Sequence, residues 1–342
     1  MQDTGSTAAL PTPKPIKSVM DKVLETFIDR DQTHSLTAWV VLYFKVHVHG
    51  APDNIVTAKR YDLEKFLCFF KSEIGHDHVD SWTPAVSKRF QKVTAQTIVA
   101  ATKKPYEPTS VNRIFATIRH FAKWLHRQRP LLAGDPMKGV RDLQTDDPDW
   151  NGLTAKQVMR LKSACEQRLN ACKRKDQNPL LETAVFYALF QTGLRESELV
   201  ALNVHQYHHR GLHNVVRSKN KKISKKVPLP QEAREFLDRY LETHNAQPDE
   251  PLFISRYGNR LATQDVYRLC QRLLKQALAY LKAEEKFHFT PHKLRHTFLK
   301  SVTDKHGIHF TQQMSGNVSI RVIFRYAKPS QDEIDQTVEE LF

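Results

Sequence analysis

The chain has 342 residues, with 52 Lys and Arg against 37 Asp and Glu, so its formal net charge at pH 7 is +15. This cationic surplus indicates a polyanionic partner, most often nucleic acid. Hydrophobic residues make up 40% of the chain, which is typical of a globular protein long enough for two domains. No apolar run approaches the roughly 18 residues of a membrane span, and no signal peptide is evident. The four cysteines include no CxxC pair, so the sequence predicts neither a zinc site nor a disulfide framework.

Helical periodicity dominates the first part of the chain, after a tail predicted at residues 1–19. Helices are predicted at residues 20–48, 58–73 and 108–129. The third is the clearest, because apolar residues recur every three or four positions from Val111 onwards. Thr109 or Ser110 is its expected N-cap. The sequence therefore predicts a helical domain over residues 20–132.

Three cations of the third helix, Arg113, Arg119 and Lys123, lie away from its apolar stripe. Cations in such positions form either a solvated face or a set of phosphate contacts. The net charge of the chain favours phosphate contacts for some of them. We therefore predict that these residues bind DNA, together with Lys221 and Lys222 further along the chain.

A segment rich in Gly, Pro and Asp at residues 133–152 has no apolar period, which predicts a linker. Residues 153–342 then form the second domain. Its helices are predicted at residues 153–169, 180–193, 231–244 and 263–284. Two β-prone pieces, Leu212–Arg217 and Lys225–Leu229, flank a lysine-rich turn and predict a small hairpin. The expected fold class is mainly α with a small antiparallel β-sheet.

Four segments of the second domain carry side chains that suit phosphate chemistry. In the first, QTGLRESELVAL, Arg195 follows a helix-ending glycine and Glu198 lies one helical turn further on. An arginine presents planar donors that match phosphate oxygens, and Glu198 can orient a cationic partner. The second segment is the turn RSKNKKISKK, in which a lysine can donate a proton. Lys219 is the first choice, with Lys221 or Lys222 as the alternative.

The third and fourth segments lie near the C-terminus. In TPHKLRHTF, His292 and Arg295 stand three residues apart on one helix face, which pairs an imidazole that titrates near pH 7 with a second arginine. In SGNVSIRVIFRYAKPS the reactive side chain is Tyr326. Two arginines can hold a phosphodiester while a lysine protonates the leaving oxygen and a tyrosine attacks phosphorus. This reaction requires no ATP, metal or cofactor, and the chain has no Gly-rich phosphate loop.

The four segments, in this order, resemble the motifs of the tyrosine recombinases, the phage integrase family of DNA breaking and joining enzymes. SVNRIFATIRHFAKWLHRQRPLLAGDPMKGV is similar to the last helix of that family's core-binding domain and its link to the catalytic domain. The resemblance implies these catalytic residues: Arg195, Lys219, His292, Arg295 and the nucleophile Tyr326, with Glu198 in a supporting role.

One position departs from the family pattern. The family has a histidine, sometimes a tryptophan, nine residues before the nucleophile, and this sequence has Asn317 there, after Gly316. The family's residue donates a hydrogen bond to a non-bridging phosphate oxygen. The NH₂ group of an asparagine can also donate, although it cannot carry the charge of a protonated histidine. Asn317 is therefore expected either to keep this role or to be a structural turn residue while another group donates. Loss of the donor would weaken cleavage by about 10² to 10³ in rate.

The resemblance also implies an architecture and a partner. It predicts a helical core-binding domain and an α+β catalytic domain around double-stranded DNA, and strand exchange through a 3′-phosphotyrosine. The C-terminal helix, predicted at residues 331–342 after a Ser330–Glu333 capping box, would dock on a neighbouring subunit of a homotetramer. We expect a cytoplasmic, DNA-associated enzyme that integrates, excises or resolves a mobile element. Two alternatives are a telomere-resolving or topoisomerase-like enzyme and a DNA-binding protein with weak or lost cleavage.

Overall fold

The computed structural model describes residues 34–341 apart from 146–150, 172–176, 219–220, 244–246, 317–319 and 328–330. The predicted tail at residues 1–19 lies outside the described residues. The chain divides into two compact units, Met1–Asp147 and Pro148–Phe342. This division falls inside the predicted linker at residues 133–152.

The first unit is a helical bundle with one short β-ladder. Its helices are α1 (Leu36–Tyr43), α2 (Asp53–Ile74), α3 (Pro84–Gln96) and α4 (Pro108–Gln128), with a π-helical turn at Phe44–Val48 and a 3₁₀ turn at Val79–Ser81. Strands β1 (Ile98–Val99) and β2 (Lys104–Pro105) pair antiparallel. Because each strand has two residues, no alternating pattern in the sequence could reveal it.

Helix α4 buries the predicted apolar stripe in the core of this unit. The buried residues are Val111, Ile114, Phe115, Ile118, Phe121, Ala122, Trp124 and Leu125. The predicted cap at Thr109 or Ser110 is wrong, because the helix begins at Pro108 with Glu107 in the N-cap position. Proline suits the first helical position, where its missing N–H would have had no partner in the helix.

The first half of the predicted linker packs on the first unit. Met137 and Val140 are buried in its core. The side-chain amide of Asn112 donates to the carbonyl of Leu143 at 2.9 Å and accepts from its N–H at 2.8 Å. Composition marked residues 133–152 as a linker, but two apolar side chains and one amide pair attach the segment to the core as far as Leu143.

The second unit contains the remaining helices and a three-stranded sheet. The helices are α5 (Ala155–Ala171), α6 (Pro179–Thr192), α7 (Glu196–Val200), α8 (Gln231–Leu241), α9 (Thr263–Ala277), α10 (Pro291–Ser315), α11 (Arg321–Ala327) and α12 (Gln331–Leu341). The strands are β3 (Tyr207–His208), β4 (Gly211–Val216) and β5 (Ile223–Pro228). They are antiparallel in the order β3-β4-β5, so the predicted hairpin is present with one additional strand. The mainly helical fold class with small antiparallel sheets is confirmed.

Helices α10 and α11 pack together on a small apolar cluster of their own. Leu299 of α10 and Ile323 and Tyr326 of α11 are buried in it. Helix α10 bends at Gly307, where φ is 77° and ψ is 178°. The hydroxyl of Thr311 donates to the Gly307 carbonyl at 2.9 Å, so a side chain supports the backbone at the bend.

Candidate active site

The first predicted arginine lies at a sharp helix-to-helix turn. Helix α6 ends at Gly193, which has a φ of 62°, and Arg195 then occupies the N-cap position of α7. A side-chain Cβ at Gly193 would collide with the ring of Phe298 from α10. Glycine is therefore needed at this turn both for its backbone conformation and for close contact with α10.

Glu198 is the buried centre of a hydrogen-bond network at this turn. Its carboxylate accepts from the Arg195 guanidinium at 2.8 Å and from the Arg195 backbone N–H at 3.2 Å. It also accepts from Arg217 at 3.2 Å and from the backbone N–H of Ser218 at 3.1 Å. Burial opposes ionisation, but these hydrogen bonds and the two arginine charges together hold the pKa of Glu198 below its usual value.

Arg217 is a buried arginine that the sequence analysis did not single out. Besides Glu198, its guanidinium donates to the Ser224 hydroxyl at 2.7 Å and to the Met314 carbonyl near the end of α10 at 3.2 Å. A Cβ at Gly316 would lie 2.7 Å from Nε of Arg217. Arg217 thus connects the β4–β5 turn, the Arg195–Glu198 pair and the C-terminal end of α10. The sequence feature that could have identified Arg217 is its position at the end of a β-prone piece, just before the lysine-rich turn.

Arg295, the second predicted arginine, is buried beside the same network. Its guanidinium donates to the carbonyl of Gly193 and, at 3.0 Å, to the carbonyl of Ser315. Burial, and then the positive charge of Arg195, lower the pKa of Arg295 to about 10. The side chain therefore stays charged at neutral pH, and its two carbonyl partners hold it in place without neutralising it.

Tyr326 packs against helix α10 in the cluster with Leu299. Its side chain is 3% exposed, and its hydroxyl is 2.8 Å from Nδ1 of His296. The ring of His296 lies edge-on to that of His292, with centroids 4.6 Å apart. In its ionised form Tyr326 raises the pKa of Arg295, so the two side chains interact. His296, which the sequence analysis did not select, therefore links the predicted nucleophile to the predicted histidine.

Two of the predicted catalytic residues, Lys219 and Asn317, lie outside the described residues. The residues beside them are well placed: Ser218 bonds to Glu198, and Gly316, with a φ of 64°, ends helix α10. Lys221 and Lys222 are exposed at the β4–β5 turn. This turn is closed by backbone hydrogen bonds from Arg217 to Lys222 at 2.8 Å and from Lys221 to Arg217 at 2.9 Å.

The three candidate cations of helix α4 are in different situations. Arg113 makes two hydrogen bonds of 2.9 Å to the buried carboxylate of Asp62. Arg119 bonds to Asp142 at 2.8 Å, while Lys123 is exposed. Arg113 and Arg119 already bond to carboxylates, so Lys123 is the best placed of the three for an external phosphate.

Within the described ranges, no group of three or more His, Cys, Asp or Glu side chains could hold a metal ion. The same part of the chain contains no helix that is both long and apolar enough to cross a membrane.

Comparisons with known proteins identify the family of this chain. The model of the phage integrase family matches residues 151–333. The chain is 25% identical to the tyrosine recombinase XerD of Oceanobacillus iheyensis over 280 residues, which cover 79% of this chain and 86% of that protein. It is 29% identical to the tyrosine recombinase XerC of Vibrio vulnificus strain YJ016 over 218 residues, which cover 62% and 63% of the two chains.

Solved structures show the same fold. A lambda integrase dimer bound to a COC′ core site superposes with a TM-score of 0.66 at 15% identity, covering 87% of this chain and 97% of that one. The Tn1549 transposon integrase in complex with a circular intermediate DNA superposes with a TM-score of 0.64 at 18% identity, covering 91% and 100%. The chain therefore belongs to the phage integrase family: it is a tyrosine recombinase, a DNA breaking and rejoining enzyme of site-specific recombination.

Proposed function

We propose that Tyr326 is the nucleophile that attacks a DNA phosphodiester and forms a 3′-phosphotyrosine. The observation that supports this most directly is that its hydroxyl lies 2.8 Å from Nδ1 of His296, the residue that follows Arg295 in α10. Tyr326 also interacts electrostatically with the buried guanidinium of Arg295, which lies beside the network that joins α7, α10 and the β4–β5 turn. A phosphate placed there meets both arginines and the nucleophile.

In this proposal each bond change has a named group. The Tyr326 oxygen forms a bond to phosphorus while the bond from phosphorus to the 5′-oxygen breaks. Arg195 and Arg295 donate to the non-bridging oxygens, where negative charge develops, and Asn317 adds a further N–H donor. The Tyr326 hydroxyl gives its proton to Nδ1 of His296, which lies 2.8 Å away. His292 takes part in proton exchange at the phosphate, and Lys219 gives a proton to the departing 5′-oxygen. Rejoining is the reverse reaction, with the 5′-hydroxyl of another strand as the nucleophile, so no cofactor is consumed.

The supporting residues keep their charges in place before DNA arrives. Glu198 holds Arg195 and Arg217 through one buried carboxylate, so the fork of Arg195 is oriented without cost at the moment of reaction. A carboxylate with a lowered pKa remains ionised throughout the neutral range. Arg195 is therefore a charge with a fixed position, as transition-state stabilisation requires.

We further propose that the enzyme works as a homotetramer on double-stranded DNA, with α12 docked on a neighbouring subunit. Its apolar side chains Ile334, Val338 and Leu341 are 40%, 51% and 69% exposed, and Phe324 of α11 is 52% exposed. A helix whose apolar stripe is left uncovered on its own subunit is suited to a partner. The lambda integrase tetramer bound to a Holliday junction, with a TM-score of 0.63, has a similar fold. Sedimentation of Val338→Asp on DNA tests this, since loss of the tetramer is expected.

Covalent trapping on DNA tests the proposed nucleophile. Duplexes bound by the protein would first be selected from a random-sequence library and then nicked near the cleaved bond, so that the cut strand diffuses away. A protein–DNA band that survives denaturation is expected with the wild type and not with Tyr326→Phe. Binding of the same duplex by both proteins is the matched control, because the substitution removes a single hydroxyl.

A second candidate function is DNA binding with weak or lost cleavage, which the asparagine at position 317 favours. An absence of the covalent band on a duplex that the wild type binds would support it. A band that strengthens in Asn317→His would instead show an active enzyme slowed at this position, by up to about 10² to 10³. The covalent band alone does not separate recombination of a mobile element from telomere resolution or relaxation of supercoils. The topology of the products on a two-site plasmid distinguishes these outcomes.

A further inference from the structure

A second polar cluster lies in the first unit, and the chemistry proposed above does not use it. Tyr43 at the end of α1 is fully buried, and its hydroxyl receives a hydrogen bond from Nζ of Lys59 at 2.9 Å. The same hydroxyl is 2.9 Å from Nδ1 of His120 on α4. His47 stacks on the tyrosine ring with a centroid distance of 5.2 Å. These four residues, Tyr43, His47, Lys59 and His120, form what we call the Tyr43 cluster.

The position of His47 depends on an unusual piece of backbone. Helix α1 continues directly into the π-helical turn Phe44–Val48, and His47 belongs to that turn. Its ring lies over Tyr43 and 5.1 Å from the ring of His120. Single π-helical turns are rare and occur often at functional sites. Here the turn brings two exposed histidines together above a buried hydroxyl.

The charges around the cluster are predominantly positive. Partial desolvation of the ring lowers the pKa of His120, and the charges of Lys59, His47 and Lys123 lower it further. Burial also lowers the pKa of Lys59, against which the charge of Asp62 acts in the opposite direction. Asp62 is already held by Arg113 and by the hydroxyl of Thr117 at 2.8 Å. The cluster therefore has cationic groups whose charge an external anion would compensate.

Several donors remain available at the surface of the cluster. A lysine ammonium has three N–H donors, and Tyr43 takes one from Lys59. Because a lysine can only donate, the tyrosine hydroxyl is free to give its own proton to Nδ1 of neutral His120. Nε2 of His120 then carries an N–H that can donate outward. Burial raises the pKa of Tyr43 to about 12, so the hydroxyl keeps this proton at neutral pH.

We propose that the Tyr43 cluster is a phosphodiester-binding site that takes up a proton when a DNA backbone phosphate occupies it. Lys59 and His120 donate to the phosphate oxygens, and the negative charge of the phosphate favours the protonated form of His120. The free protein holds His120 neutral and bound DNA charges it, so DNA affinity rises as pH falls through the histidine range. This inference rests on the proposed DNA-binding function and assigns a specific phosphate contact to the first unit.

The test is DNA affinity as a function of pH, with full-length protein and a mixed-sequence duplex of about three helical turns. At constant salt, we expect wild-type binding to be roughly three- to ten-fold tighter at about pH 6 than at about pH 8. In His120→Gln and in Lys59→Met, the difference in DNA affinity between the two pH values should shrink to less than about two-fold. For Lys59→Met, the dependence of affinity on salt should also decrease by the equivalent of about one phosphate contact. Calorimetry in two buffers of different ionisation enthalpy should show proton uptake by the wild type.

The matched control is His76→Gln, which replaces an exposed histidine of the same unit and should keep the wild-type pH dependence. Thermal unfolding without DNA verifies that each variant is folded. Equal pH dependence in wild type and in the folded His120→Gln and Lys59→Met variants would overturn the phosphate site while leaving the proposed enzyme intact. A wild type that binds no duplex at either pH would overturn the proposed function and the site together.

Discussion

The Glu198–Arg217 network of the second unit and the Tyr43 cluster of the first unit both gather cations, but they do so in different ways. Arg217 and Arg295 are buried and donate to a carboxylate or to backbone carbonyls. Lys59 and His120 are closer to the surface and meet at a hydroxyl. Guanidinium groups with fixed acceptors keep their charge throughout the neutral range, whereas an imidazole beside other cations changes its charge with its surroundings. The fixed charges of the Glu198–Arg217 network suit catalysis. The titratable Tyr43 cluster suits binding whose strength changes with pH.

The largest expected effect comes from removing the buried cation that joins three segments of the second unit. Arg217→Met should slow cleavage about 10- to 100-fold at saturating DNA, because Glu198 loses one of its two charged partners and no longer positions Arg195 and the lysine turn accurately. DNA affinity should change by less than about three-fold. Single-turnover cleavage and equilibrium binding on the same duplex measure the two quantities.

A substrate with sulfur in place of the bridging 5′-oxygen distinguishes a positioning role of Arg217 from a general loss of structure. A thiolate leaves without needing a proton, so a defect in positioning the proton-donating lysine should become smaller on this substrate. If Arg217→Met shows the same defect with oxygen and with sulfur, Arg217 does not act through the lysine turn. Arg217→Lys retains the positive charge but not the planar guanidinium, so its cleavage rate should lie between those of the wild type and Arg217→Met.

Alanine substitutions at two glycines test how tightly the buried network is packed. Gly316 and Gly258 have φ values of 64° and 77°, so alanine costs about 1 kcal/mol of backbone strain at either position. A Cβ at Gly316 meets Arg217, but at Gly258 it meets nothing within 4 Å. Urea unfolding should therefore show an extra loss of about 1–3 kcal/mol for Gly316→Ala over Gly258→Ala. Equal losses would mean that Arg217 has room to move aside.

The smallest expected effect is a change in how stability depends on pH. Because the folded state lowers the pKa of Glu198, its ionised form stabilises the fold above the unfolded value of about 4.3, and this contribution is lost as pH falls through the folded pKa. Glu198→Gln should thus be less stable than the wild type at pH 7, and the difference should narrow in acid. Urea unfolding at several pH values measures it, and a difference that widens as pH falls would contradict the assignment.

The class of the enzyme and most of its helices and strands could be predicted from the sequence. Helix α5, helix α6 with its end at Gly193, and the β4–β5 hairpin follow from local periodicity, capping and turn chemistry, which act over a few residues. Arg195, His292, Arg295 and Tyr326 were recognisable because each lies in a short motif. The two-residue strands and the packing of Met137 and Val140 on the first unit left no such local pattern.

Only the tertiary structure determined which polar groups contact one another. Arg217, His296 and Tyr43 stand in apolar or basic stretches that look ordinary in the sequence, and their partners are far along the chain, as in the pairs Arg217–Met314 and Tyr43–His120. A hydrogen bond forms between groups that the fold brings within about 3 Å, and sequence spacing does not encode that distance for separate helices. The sequence therefore determined the chemistry available to this protein, and the packing of its helices determined where each charge and each proton lies.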